Sequence, residues 1–457
     1  MKKQLSRLLA FTLLLSTIAL FSCNFKTTKE PDIYDGAYDG SKVTINVWHT
    51  MFASSGISAI ERAAERFKEL YPNITVKTNV WDDCDHIYEN IDGNPYAETP
   101  PNLVFCSPKQ IVQYVNDNKV IELNRFIDSQ CVIESTGETM GFTKNQHNDF
   151  VPAFLNGEKL GADGKIYSLP FSKETDLLYY NKTVFNELGL APPKTWDEVE
   201  NCIKILKDHY PDSTPLGYDS EENLFITLAA QYGSDYTNLN GEFLFDNDTN
   251  KEFVSKFADW YKNGWLTTSY IGYDTIESFA NQEMFMSIAS SRGAAYHSPN
   301  RIDGEYEFEV GVAPIPQVDL SNPKANTTGI SFCILNNENT QEIYASWLFL
   351  KFLTTDPEAQ AFSAIYNKSI PMINSAKESP TYKNFISKDI SLQYSPVKVL
   401  FEQSCDYFVC PIFEGCEKAT ENIDLLVQSV FSKYQLGADN SAMIDEEFNK
   451  ALKNCTN

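Results

Sequence analysis

Few residues of this chain combine a reactive type with a spacing that catalysis requires. Asp82, Asp83 and Glu174 are the carboxylates that glycoside hydrolysis would recruit, but nothing in their spacing sets two of them at a catalytic separation. The chain has five histidines and contains no HExxH, GxSxG or phosphate-loop string, so the sequence gives no support to a hydrolase or an NTPase. We therefore expect no enzyme, no cofactor and no metal site.

The segment 164–196 is more informative, and its sequence is GKIYSLPFSKETDLLYYNKTVFNELGLAPPKTW. The pattern predicts a strand, a turn with polar groups, a second strand, a short helix, and a Pro-Pro break before a capped helix. A chain that crosses between two lobes has this pattern, with 171–176 at the hinge, within reach of a ligand. The segment indicates a protein that closes on a small molecule and does not transform it.

The elements around this segment alternate between strand and helix. Val43, Ile45 and Val47 alternate with polar residues as in a half-buried strand, and Ser58 with Glu61 can form a capping box for the next helix. The alternation recurs along the chain, which predicts α/β architecture with a mostly parallel sheet. With 457 residues, the chain suits two lobes better than one core.

The N-terminus has the features of a targeting segment. Lys2, Lys3 and Arg7 precede the apolar run 8–20, and a small-residue site leads to Cys23. This arrangement resembles a bacterial lipobox, which would make Cys23 the lipidated first residue of the mature protein. Ordinary secretion with cleavage elsewhere is the alternative.

We accordingly expect a lipoprotein signal peptide at 1–22, and a lipidated cysteine with a polar, flexible tether at 23–40. No other apolar run approaches the roughly 20 residues that a membrane span needs. The formal net charge is −25, and such a surface repels polyanions, so we expect no nucleic-acid partner.

The sequence contains ten cysteines, and lipidation of Cys23 would leave an odd number, nine. Cys405, Cys410 and Cys416 are clustered, and Cys455 lies at the far C-terminus. An exported compartment permits disulfides, so we expect either a bridge within this C-terminal region or free structural cysteines. The cysteine spacings match no standard zinc pattern.

Motifs along almost the whole mature length occur in the order of a known family. They are VTINVWHTM at 43–51, TPPNLVFCSPKQI at 99–111, GKIYSLPFSKETDLLYYNKTVFNELGLAPPKTWDEV at 164–199, FANQEMFMSIASSRGAAY at 279–296, FEVGVAPIP at 308–316 and TTGISFCI at 327–334. Through these motifs the chain resembles the bacterial extracellular solute-binding proteins of carbohydrate-uptake ABC transporters.

The resemblance implies an α/β, two-lobed periplasmic-binding-protein fold with crossover hinges and an interlobe ligand cleft. Lobe I would comprise 41–170 and 329–370, and lobe II would comprise 171–328, including the hinge, and 371–457. The implied protein is the substrate-binding lipoprotein of an ABC importer. It would be a monomer, lipid-anchored in the cell envelope and facing the periplasm or exterior, that captures a small carbohydrate or polyol by hinge closure and delivers it to permease subunits.

Sugar sites combine flat aromatic faces with a few well-placed polar groups. The resemblance and the ends of the expected strands suggest twelve ligand-binding candidates. For each of them a purely structural role is the alternative, and of the neighbours Tyr179 and Tyr180 at most one can face a cleft. The candidates are Trp48, His49, Trp81, Asp83, Ser107, Lys109, Glu174, Tyr179, Ser290, Ser291, Arg292 and Gly329.

The motifs are most similar to those of glycerol-3-phosphate-binding proteins, but one difference from those proteins restricts the expected ligand. Those proteins carry a hinge hydroxyl and a C-terminal arginine, whereas this chain has Glu174 at the hinge and no arginine in 401–420. Because a carboxylate repels a phosphate dianion, we favour an uncharged ligand. A glycerol-3-phosphate or glycerophosphodiester binding protein is the first alternative, and a cell-surface carbohydrate hydrolase or adhesin is the second.

Overall fold

The structure, a computed structural model, describes residues 33–51, 58–91, 100–269 and 274–456. The expected signal peptide, Cys23 and most of the tether lie outside the described residues. Within the described ranges, no helix is both long and apolar enough to cross a bilayer.

The strands, numbered in chain order, are β1 (Val43–His49), β2 (Ile74–Val80), β3 (Leu103–Cys106), β4 (Lys159–Leu160), β5 (Lys165–Ile166), β6 (Ser168–Glu174), β7 (Asp176–Asn181), β8 (Leu216–Tyr218), β9 (Leu266–Thr268), β10 (Met286–Ser290), β11 (Arg301–Ile302), β12 (Glu305–Tyr306), β13 (Val310–Pro314), β14 (Lys324–Ile334) and β15 (Asp406–Val409).

The helices are α1 (Ala59–Leu70), α2 (Cys84–Asn90), α3 (Pro108–Asn116), α4 (Asn124–Ile127), α5 (Lys144–Asp149), α6 (Pro152–Gly157), α7 (Lys182–Glu187), α8 (Trp196–His209), α9 (Glu221–Tyr232), α10 (Asp248–Lys262), α11 (Asp274–Ala280), α12 (Thr340–Thr355), α13 (Pro357–Asn367), α14 (Pro380–Ile386), α15 (Ser395–Glu402), α16 (Cys416–Gln435) and α17 (Ser441–Thr456).

Two sheets, each with its own layer of helices, form the body of the molecule. The first sheet has the order β15-β14-β3-β1-β2, with β6 also paired to β14, and the second has the order β13-β7-β10-β8-β9. Both are mixed. In the first sheet three of the five described strand pairs are parallel, as the sequence predicted, and β14 runs antiparallel to β3 and β6. In the second sheet two of the four pairs within the described ranges are parallel, because β7 runs antiparallel to β10 and β13.

The chain passes between the sheets at two adjacent places, and again in the C-terminal region. Thr175 alone separates β6 of the first sheet from β7 of the second. The other passage is β14, whose first residues contact α9 while its last residues pair with β6 and β3. The Thr175 hydroxyl donates to the carbonyl oxygen of Asn326 at 2.7 Å and so joins the two passages. The expected two-lobed architecture with crossover hinges is thereby built from paired strands.

The C-terminal region returns to the first sheet before it joins the second. Residues Asn374–Glu378 and α14 pack against α13, because the apolar side chains of Met372, Ile373 and Tyr382 are buried in the first core. The first later helix to pack on the second sheet is α15, against β13, and α16 with α17 then complete the second core. The lobe boundaries drawn from the sequence stay a prediction. The packing shows that residues after 371 still belong to the first core.

A glycine is required at position 329 because the backbones of β6 and β14 approach each other closely there. Its φ is +143°, and a Cβ at this position would lie 2.1 Å from the carbonyl oxygen of Ser172. We expect Gly329→Ala to lower the free energy of unfolding by about 2–4 kcal/mol, because both the backbone conformation and the contact become strained.

The control is Gly293→Ala, where the nearest atom to the added methyl group would be 3.7 Å away. Urea denaturation of both variants measures the difference. Equal stability of the two variants would contradict the close approach of β6 and β14 at Gly329.

Candidate functional site

A polar cluster forms where the two passages meet the second sheet. Glu174 ends β6, and its carboxylate accepts a hydrogen bond of 2.6 Å from the hydroxyl of Ser290, the last residue of β10. The Arg292 guanidinium lies 3.7 Å from the other carboxylate oxygen. Glu174 also pairs with Thr328 in β14. Residues far apart in sequence thus meet at one point, and we call Glu174, Ser290, Arg292 and Thr328 the hinge cluster.

The hinge cluster is open to solvent on one side. The Arg292 side chain is 54% exposed and that of Glu174 is 19% exposed, while Thr328 lies on the surface. A carboxylate offers acceptors to hydroxyl groups, and a guanidinium offers donors in a planar fork. The cluster therefore presents both kinds of hydrogen-bonding group to a polar solute.

Two candidates beside the cluster are buried and already hydrogen-bonded. The Ser291 hydroxyl donates to the carbonyl oxygen of Lys368 at 2.7 Å. The Tyr179 hydroxyl donates to the carbonyl oxygen of Ser290 at 2.9 Å, and its ring stacks on His297 at 4.1 Å. These contacts make Ser291 and Tyr179 supports that position the end of β10. Gly329, which pairs with Lys173, allows the close approach of β6.

An aromatic pair lies at the carboxyl ends of β1 and β2. The rings of Trp48 and Trp81 are 4.6 Å apart at 36°, and Trp48 is only 1% exposed. Neither indole nitrogen has a hydrogen-bond acceptor among the described residues. A buried indole N–H without an acceptor is costly, so these two donors are suited to a ligand hydroxyl.

His49 lies next to this pair and is fully buried. Its Nδ1 accepts the backbone N–H of Met51 at 3.2 Å, and its Nε2 has no partner in the described part of the chain. Burial lowers the pKa of His49 to about 4. The imidazole is therefore neutral at physiological pH and contributes no charge to the site.

The remaining first-lobe candidates have local partners. Asp83 caps α2 through the backbone N–H of His86 at 2.7 Å, and Ser107 caps α3 together with Gln110. Lys109 forms an ion pair of 2.9 Å with Asp85. Asp85, with Glu417 and Glu421 of α16 as weaker contributors, raises the pKa of Lys109. The start of α3 thus faces the start of α16, which belongs to the second core.

The second sheet contributes carboxylates that the sequence reasoning missed. Burial, with weaker contributions from neighbouring carboxylates, raises the pKa of Asp176 to about 7, although the Tyr218 hydroxyl donates to it at 2.9 Å. After β8, burial raises the pKa of Asp219 and Glu221, and burial with Asp424 raises that of Glu222 to about 7. The string YDSEEN at 218–223 was the available signal, because ligand sites lie at the carboxyl ends of such strands.

The described residues hold no group of three or more His, Cys, Asp or Glu arranged to bind a metal ion. The arrangement supplies hydrogen-bond acceptors, a few donors and one aromatic pair. That inventory suits reversible binding of a polar organic molecule.

Residues 62–387 match the family model described as bacterial extracellular solute-binding protein. The chain belongs to this family. The family and the two-lobed fold predicted from the sequence are thus confirmed.

Individual relatives of this solute-binding protein are distant. It is 25% identical over 243 residues to the maltotriose-binding protein of Pyrococcus abyssi, covering 50% of this chain and 48% of the relative. It is 24% identical over 236 residues to the multiple sugar-binding protein of Streptococcus mutans, covering 47% of this chain and 54% of the relative. The chain therefore spans about half the length of these two relatives. The sn-glycerol-3-phosphate-binding periplasmic protein UgpB of Salmonella typhimurium is 24% identical over 366 residues, covering 76% and 78%.

Solved structures show the same fold over nearly the whole chain. The cyclic alpha-maltosyl-1,6-maltose binding protein from Arthrobacter globiformis has a TM-score of 0.68 at 18% identity, covering 91% of this chain and 98% of its own. UgpB from Mycobacterium tuberculosis, solved with glycerophosphocholine, has a TM-score of 0.63 at 17% identity, covering 90% and 97%. At these identities the likeness concerns the fold alone.

The raised pKa of Asp176 predicts a pH-dependent stability. The carboxyl group has a pKa of about 7 in the folded state and about 4 in the unfolded chain, so the folded state binds the proton more tightly. The free energy of unfolding therefore falls as the pH rises from 4 to 7. Asp176→Asn cannot ionise and escapes this loss. Between pH 5 and pH 8 we expect the variant to gain about 2–3 kcal/mol of unfolding free energy relative to the wild type.

Urea denaturation at several pH values measures this gain, and Asp389→Asn, an exposed position, is the control. If both variants track the wild type equally across this pH range, Asp176 is ionised at neutral pH and the prediction is wrong.

Proposed function

We propose that this protein is the substrate-binding lipoprotein of an ABC importer. It captures a small carbohydrate or polyol between its lobes, closes over it at the hinge, and delivers it to membrane permease subunits. The observation that carries the proposal is the hinge cluster, because a solute bound to Glu174, Ser290 and Thr328 touches both passages of the chain at once. Such a solute favours the conformation in which these groups converge.

The aromatic pair and the neighbouring donors support a sugar as the solute. The partly exposed ring of Trp81, which packs on the buried Trp48, offers an apolar face beside two indole N–H groups that lack acceptors among the described residues. A pyranose ring has an apolar face and hydroxyl edges, and so complements both features. We include Trp48, Trp81, Glu174, Ser290 and Arg292 among the residues that contact the solute, with Ser291 and Tyr179 as their supports.

Charge favours a neutral solute over a phosphate ester. The carboxylate of Glu174 lies in the hinge cluster. A phosphate dianion placed there must overcome the repulsion of this carboxylate. Arg292 supports the second candidate, a glycerol-3-phosphate or glycerophosphodiester ligand, since its guanidinium is more than half exposed and phosphate is a good partner for arginine.

Glu174→Gln is expected to weaken binding of a neutral carbohydrate at least about tenfold and to leave the fold intact, because the neutral amide replaces a charged acceptor with a weaker one. Thermal shift against maltose, maltotriose, glycerol, glycerol-3-phosphate and glycerophosphocholine first identifies the solute, since a ligand at 100 times its Kd stabilises the protein by about 2.7 kcal/mol. Titration calorimetry then compares the variants.

Glu134→Gln, at an exposed position, is the matched control and should bind like the wild type. Unchanged affinity of Glu174→Gln would remove Glu174 from the site. A thermal shift produced by the phosphate esters alone would overturn the preference for a neutral solute.

Arg292→Gln distinguishes the two candidate solutes directly. For a neutral sugar we expect at most about a tenfold loss of affinity, because one hydrogen-bonding group is replaced by another. For a phosphate ester the loss should exceed about a hundredfold, since the charge partner disappears. Calorimetry with the solute identified by thermal shift decides, and a loss of the second size would favour the phosphate ester.

A further inference from the structure

Two buried cysteines on neighbouring strands have their sulfur atoms in contact. Cys106 ends β3, Cys333 lies in β14, and their Sγ atoms are 3.3 Å apart. The antiparallel register places Cys106 opposite Ser331 and Cys333 opposite Val104, so the two cysteines are diagonal neighbours on one face of the sheet. Both are 0% exposed. The contact is set by the sheet itself and not by a mobile loop.

The contact falls short of a covalent bridge, in which the S–S distance is about 2.05 Å. Diagonal neighbours on a sheet are spaced about 7–8 Å apart, so the bond requires side-chain rotation together with a closer approach of the two strands. The Cys106 thiol also lies 3.3 Å from the carbonyl oxygen of Ser331. A third thiol, that of Cys84, lies close enough to contribute to the raised pKa of Cys106, and its own pKa is raised in part by Cys333.

We propose that Cys106 and Cys333 form a disulfide bond in the exported protein. Family membership places the chain outside the cytoplasm, where disulfides form and persist. The oxidant is a protein disulfide of an exported thiol oxidoreductase. One thiol of the pair loses its proton and attacks that disulfide, and the second thiolate then displaces the oxidoreductase from the mixed disulfide. One S–S bond forms, two S–H bonds break, and the oxidant leaves as a dithiol.

The bond forms before the sheet is complete. In the folded protein, burial raises the pKa of the Cys106 thiol, which suppresses the reactive thiolate. Oxidation therefore accompanies the arrival of β14 beside β3 during folding after export.

The bridge would join the hinge to one wall of the cleft. Cys106 is followed directly by Ser107, the N-cap of α3, while Cys333 is in the strand that carries Thr328 and Gly329. The cysteines are 227 positions apart, so the bridge closes a long loop in the unfolded chain. Long loops gain most from a crosslink, because the crosslink removes most disorder from the unfolded state.

The test is peptide mapping of the full-length protein exported by a bacterial host. The protein is unfolded in the presence of an alkylating reagent and without reductant, and then digested. We expect a peptide pair that joins Cys106 to Cys333, lighter by two hydrogens than the separate thiol peptides and absent after reduction. Full alkylation of both cysteines, or a link from Cys84 to either one, overturns the proposal.

Thermal denaturation gives a second readout. Reduction should lower the Tm of the wild type by at least about 5 °C, and it should leave the Tm of the Cys106→Ala/Cys333→Ala double variant unchanged. An equal fall in the double variant would assign the effect to other cysteines and overturn the proposal. If the double variant fails to fold, the peptide map of the wild type decides alone.

Discussion

The pairing of β6 with β14 is the interaction on which the rest of the structure depends. Both strands belong to the first sheet. Thr175 alone connects β6 to β7 of the second sheet, and β14 also packs on α9 of the second core. Their close approach at Gly329 and Ser172, and the bond from Thr175 to Asn326, hold the two passages side by side. A movement of one lobe relative to the other must change the backbone around this point and in the C-terminal passage, as expected of a hinge.

The same pairing creates the hinge cluster. Glu174 is in the cluster because β6 ends there, and Ser290 reaches it because β10 pairs with β7 immediately beyond Thr175. Buried neighbours fix this geometry: Tyr179 bonds the Ser290 carbonyl oxygen, and Ser291 bonds the chain after α13. The polar groups are thus preorganised, so that a solute does not have to order them when it binds.

Electrostatics then restricts which solutes fit. Burial raises the pKa of carboxyl groups at the second sheet, Asp176 and Glu222 among them, and an added anion would raise their pKa further. A neutral ligand rich in hydroxyl groups accepts and donates hydrogen bonds without this conflict. The formal net charge of −25 also disfavours an anionic ligand, but it aids solubility more than it aids recognition.

The sequence predicted those features that local chemistry determines. Ser58 and Glu61 form the capping box expected of them, and Thr195 caps α8, the capped helix predicted after the Pro-Pro break. The crossover at 171–176 followed from strand and turn patterns.

Features that depend on distant parts of the chain were not predictable. The burial of Tyr179 depends on His297, and the Cys106–Cys333 contact on a separation of 227 residues. Cysteine pairing was not predictable either: all nine described cysteines, Cys106 and Cys333 included, are free thiols in the structure, and a bridge among the clustered C-terminal cysteines stays a prediction. The three-residue strand β8 is too short for a periodic pattern, which is why the carboxylates after it were overlooked.

The central claim is that the β6–β14 pair is a hinge that closes on a solute bound at Glu174. Small-angle X-ray scattering of the full-length protein, with and without the solute identified by thermal shift, tests it most directly. The radius of gyration should fall when saturating solute is added to the wild type, and should fall less for Glu174→Gln at the same concentration. An unchanged radius of gyration in the solute-saturated wild type would contradict the account.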